Sequence, residues 1–104
     1  MKTARHGDLL FRTISKLPKE CRKLSEGINN ILALGEFTGH KHVLVSAEPI
    51  TVLELDGEKF FEVKDGAEVT HDEHKTIKLL PGIYRMTVEK EFDYFLQESR
   101  KVVD

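Results

Sequence analysis

A single cysteine, no apolar run longer than a few residues and no cluster of glycines are the plainest deficits of this sequence, and each excludes a class of function. Cys21 alone cannot form an internal disulfide, and a free thiol suits a reducing compartment. Runs such as Ile31-Leu32-Ala33-Leu34 fall far short of the roughly 20 apolar residues of a membrane-spanning helix. The opening Met-Lys-Thr-Ala-Arg-His-Gly-Asp has no apolar core to act as a signal peptide. A cytoplasmic location with no membrane partner is therefore expected. The seven glycines stand singly at predicted turns, so no phosphate-binding loop supports nucleotide binding. Ser15, Ser25, Ser46 and Ser99 occur in no Gly-x-Ser-x-Gly context, which sets serine hydrolysis aside. There is no internal repeat, no low-complexity tract and no long linker.

What is present fits one small domain. A chain of 104 residues and 11.9 kDa buries a real but modest core. The net charge of −2 hides a gradient. Residues 1–30 carry seven Lys/Arg against three Asp/Glu, while residues 31–104 carry nine against fifteen. From Glu54 to Glu73 there are eight acids and two lysines, a surface that repels phosphates, so no nucleic-acid partner is expected. Cys21 sits beside Lys19, Arg22 and Lys23, which would lower the pKa of an exposed thiol. Lying between Leu17 and Leu24, it reads better as a small buried hydrophobe.

Strand signals dominate. The pattern predicts strands over 7–14, 31–37, 42–46, 50–55, 59–63, 67–70, 76–80 and 84–90, with Leu9, Phe11 and Ile14 on the apolar face of the first and Tyr84, Met86 and Val88 on that of the last. Pro49 marks a break, Asp56-Gly57 is a strong hairpin signal, and Pro81-Gly82 suits a type II turn. Of Phe60 and Phe61, one fills the core and the other needs separate cover, since neighbours on a strand face opposite ways. Two short helices are allowed for, over 18–26 and 92–100. The fold class expected is mainly β: a single-domain antiparallel β-barrel or β-roll of about seven or eight short strands with at most one or two short helices. Residues 1–104 are read as one domain, with a mildly basic strand plus loop or short helix over 1–30, a β core over 31–92 and a tail or short helix over 93–104.

Five histidines are the chemical oddity, and four of them form two pairs: His40-Lys41-His42 and His71-Asp72-Glu73-His74. Residues i and i+2 of a strand share a face, so two imidazoles there can converge on one ion. His40, His42, His71 and His74 are accordingly the candidate ligands of one divalent metal (zinc, nickel, manganese or iron), with Glu36 or Glu73 supporting. The competing view is that each pair merely decorates a turn. His6, beside Gly7 and Asp8, reads as a surface residue. If the site is catalytic, hydrolase or cupin-like oxygenase chemistry follows, although the spacing of Gly35, His40, His42, Glu48 and Gly57 departs from the cupin motif by several residues. The sequence on balance favours a non-enzyme, and no catalytic residue or further cofactor site stands out. The alternative function is a protein–protein interaction or structural module forming a homo-oligomer through a strand edge or apolar patch.

The chain also resembles a family of small, functionally uncharacterised bacterial and phage-borne proteins. The motifs that carry the resemblance are Gly7-Asp8-Leu9-Leu10, Gly35-Glu36-Phe37-Thr38-Gly39-His40-Lys41-His42, Thr70-His71-Asp72-Glu73-His74-Lys75-Thr76-Ile77 and Pro81-Gly82-Ile83-Tyr84. Lys90-Glu91-Phe92 stands where that family has Arg-Glu-Tyr. The resemblance implies that both histidine pairs lie within distinguishing motifs, and it brings no established activity.

Overall fold

The computed structural model describes residues 3–34, 41–72 and 74–89. They form eight strands and, among the described residues, no helix: β1 (Thr3–His6), β2 (Leu9–Ile14), β3 (Arg22–Leu34), β4 (Lys41–Leu55), β5 (Glu58–Val63), β6 (Ala67–Thr70), β7 (Ile77–Leu79) and β8 (Gly82–Val88). All pairings are antiparallel, in the order β1-β2-β8-β5-β4-β6-β7 with β3 on β4, and the sheet curls into a nearly closed barrel.

β4 organises the curl. β3 runs along one edge of it, whereas β5 and β6 pair with short stretches toward opposite ends of the other, Leu53–Leu55 and Val43–Ser46. Leu53 faces Phe60 and Ser46 faces Ala67, so one register is kept on both sides of the gap between β5 and β6. Within that gap the chain of β5 turns to β8, pairing Phe61 with Tyr84 and Val63 with Gly82. A long strand bent in this way presents two half-sheets at an angle, which is how eight short strands enclose a core.

The break expected at Pro49 is a bulge inside β4 rather than its end. Gly27 pairs with Ile50 and Asn29 with Val45, so residues 46–49 bow out opposite Ile28. Proline lacks the N–H that a ladder requires, and a bulge is where a strand can do without one. Buried Asn30 holds the bulge. Its Nδ2 donates to the carbonyls of Gly27 and Ile50, and its Oδ1 accepts from Ser25 Oγ. Asn30→Ala is expected to cost about 2 kcal/mol, because a buried carbonyl, that of Ile50, and a half-buried one, that of Gly27, lose their donor. Urea unfolding measures this, and a loss below about 0.5 kcal/mol, the lower end for one net hydrogen bond, would mean that the bulge holds itself.

Three local expectations are corrected. The helix over 18–26 is not formed, since β3 begins at Arg22, paired with Glu54 and joined to it by an ion pair. Nine residues are too few for a helix to persist on its own propensity, and an available edge on β4 captures them. The strand expected over 7–14 is present from Leu9 to Ile14, whereas Gly7 and Asp8 form the two-residue turn of a hairpin that pairs it with β1. Gly7 has φ 64, the positive first centre that a Gly-x hairpin turn requires. Gly82, with φ 159, is already the first residue of β8 and not the second centre of a type II turn. Asp56 and Gly57, at φ 54 and 82, do form the expected Asp-Gly hairpin between β4 and β5. The helix expected over 92–100 lies outside the described residues.

The core comprises Leu9, Phe11, Leu32, Leu44, Ile50, Val52, Phe61, Val63, Val69, Leu79, Tyr84 and Met86 with Ala67. Phe61 is its centre, with Phe11 edge-on at 6.2 Å and Tyr84 stacked at 5.7 Å between ring centroids. Phe60 points the other way and is buried as well, outside this cluster. Val88, expected inside with Tyr84 and Met86, is half exposed. Cys21 is half buried, and burial pushes its thiol pKa up, so the basic neighbours do not activate it.

Candidate functional site

Three inward rows of the barrel end in histidine. On β1, Ala4 packs against the core and His6 follows it. On β4, buried His42 precedes buried Leu44. On β6, Val69 is buried and His71 comes two residues later. Alternation along a strand therefore turns each imidazole inward at the same end of the barrel. The β4–β6 register, Leu44 with Val69 and Val43 with Thr70, sets His42 opposite His71 when continued by one step, and their rings lie 4.5 Å apart. His74 returns over this end, 4.5 Å from His71 and 5.8 Å from His42 between centroids. His6 completes the group at 5.0 Å from His42, 6.2 Å from His71 and 5.6 Å from His74.

Among the predicted ligands, His42, His71 and His74 are brought together. His40, Glu36 and Glu73 lie outside the described residues. His6, expected at the surface, is instead 3% exposed and at the heart of the group. The Gly7-Asp8 turn accounts for this, because it pairs His6 with fully buried Leu9 and so faces it inward. Read as a hairpin signal, Gly-Asp would have placed His6 inside.

Two contacts set the chemistry of the buried pair. His6 Nε2 lies 2.9 Å from the carbonyl oxygen of Lys75, which can only accept, so Nε2 carries the proton. Neutral His6 then presents a bare Nδ1, and it faces His42 Nδ1 at 2.8 Å. The other edge of the His42 ring looks toward Asp8, with Nε2 3.8 Å from the carboxylate. Burial first, then repulsion from His71 and His6, lowers the His42 pKa to about 4, while Asp8 opposes the shift. Burial likewise lowers that of His6, against the raising effect of the Lys75 carbonyl. Both rings are thus neutral at pH 7, the state in which imidazole binds metals. Gly7 provides the room: a Cβ there would sit 2.9 Å from His74 Nε2 and 3.1 Å from His42 Cε1. Among the described residues, no group of three or more His, Cys, Asp or Glu side chains is placed so that it could hold a metal ion as it stands.

The depressed His42 pKa has a stability consequence. The unfolded chain takes up a proton near pH 6.5 and the folded one only near 4, so its contribution is full above pH 6.5 and lost as pH falls through that window. Metal-free protein is expected to lose on the order of 2–3 kcal/mol across it. Denaturation midpoints at pH 7, 5.5 and 4, compared with those of His42→Ala, measure this, and parallel profiles would contradict it.

Fold and site together define a class: a small antiparallel barrel, nearly closed, with imidazoles gathered at one end. The chain belongs to the family described as Domain of unknown function (DUF8820), whose model matches residues 5–89 and so spans all four of these histidines. No curated protein and no solved structure matches the chain. Among the described residues no helix is long and apolar enough to cross a membrane.

Proposed function

We propose that this domain binds one divalent transition-metal ion through His6, His42, His71 and His74. The observation that carries this reading is the bare Nδ1 of His6, oriented by the Lys75 carbonyl and aimed at a second Nδ1 2.8 Å away. A backbone acceptor on the far nitrogen is the usual orienting device of a metal-bound histidine. Imidazoles holding one ion at 2.0–2.1 Å have ring centroids about 5 Å apart, and the six separations here run from 4.5 to 6.2 Å. Two nitrogens on a tetrahedral ion stand about 3.3 Å apart, so loading replaces the His6–His42 hydrogen bond and widens it by about half an ångström. An all-imidazole set favours zinc, nickel or iron, with manganese a weaker fit and calcium and magnesium disfavoured.

The test uses untagged protein, stripped with chelator and then titrated with each ion. One ion per chain and a melting temperature raised by roughly 10 °C are expected at 100 times the Kd. No bound ion and no thermal shift with any of the four would refute the proposal.

A second reading, self-association, draws on the outer edge of β3, which no described strand pairs and where Leu24, Ile28 and Ile31 are exposed. Sedimentation of metal-loaded protein at several concentrations separates the two: a strict monomer removes the second reading.

A further inference from the structure

We propose that the ion serves as the clasp of the barrel, tying together the two banks of its open seam; this rests on the metal site proposed above. β1 and β7 stand at opposite ends of the strand order, and among the described residues no strand pairing joins them. The links from β1 to the far bank include the hydrogen bond from His6 Nε2 to the Lys75 carbonyl, the ring contacts of His6 with His71 and His74, and the close approach of His74 to Gly7. The ligands are divided accordingly. His6 belongs to the β1 bank, His71 and His74 to the segment between β6 and β7, and His42 to β4.

Beneath the seam the core is thinly covered. Ala4 on one bank and Ile77 on the other are only partly buried, and both pack on the cluster containing Leu9 and Val69. A seam that no strand pairing joins among the described residues opens more readily than the laddered interior of the sheet, because stability is lowest where few backbone hydrogen bonds hold the chain. An ion bonded to both banks cannot be retained in full while the seam is open. Its binding energy therefore favours closure, and the metal-free barrel, closed in its ground state, opens between β1 and β7 far more often than the loaded one while β4, β5 and β8 stay paired.

Hydrogen exchange on the full chain, chelated and loaded, tests this. With metal at 100 times its Kd, exchange at amides of β1 and β7 is expected to slow about 100-fold, well beyond any slowing in β5 and β8. His6→Ala keeps the three imidazoles that lie outside β1, so at saturating metal it is expected to bind an ion without regaining protection in β1. Uniform slowing across the sheet, or β1 protection retained in metal-loaded His6→Ala, overturns the clasp while leaving the metal site standing. Failure of any ion to bind overturns both.

Discussion

His42→Ala is expected to weaken metal binding by at least 100-fold and to erase the metal-dependent rise in melting temperature. The groups that merely hydrogen-bond to metal ligands are worth about 10–100-fold in affinity, so removing a ligand itself sets a higher floor. His42 is in ring contact with the other three imidazoles, and at 3% exposed it is, with His6, one of the two buried members of the group. Its loss also leaves the oriented Nδ1 of His6 with no partner in a buried place. The metal-free variant should nevertheless fold, since the core cluster does not include His42. Isothermal titration of chelated wild type and variant gives the comparison directly. Unchanged affinity in the variant would remove His42 from the site, and His71→Ala provides the control from the opposite strand.

Phe61→Ala is expected to cost 3–5 kcal/mol, a large share of the stability of a domain this small. Phe61 is fully buried between Phe11 and Tyr84, and its strand pairs with β8 at the point where β5 leaves β4. The vacated volume cannot be refilled cheaply, because flanking residues are fixed by ladders on both sides. Phe60→Ala, on the other face and outside the core cluster, should cost less. Urea midpoints for the two variants settle the ranking, and equal losses would mean that both faces are packed alike.

Much of the fold was legible. Asp56-Gly57 fixed a hairpin because two consecutive positive φ values suit that pair, and alternation of Tyr84 with Met86 marked an inward face. The 18–26 segment was not legible, because helix and edge strand are both weakly favoured there and the free edge of β4, a distant element, decides. At the site, His42, His71 and His74 stood out by spacing. His6 did not, since its inward direction depends on reading Gly7-Asp8 as a turn rather than as the start of a strand.

The sequence by itself determined that this is a β domain with glycine-borne turns and an unusual supply of imidazoles, because turn chemistry and period-2 alternation are local properties. Only the tertiary structure decided which imidazoles meet. Four histidines separated by up to 68 positions, His6 to His74, share one end of the barrel because three inward rows terminate there in register. Only the folded barrel sets the neutral state of the buried pair, since burial and neighbouring rings, not spacing, lower its affinity for protons.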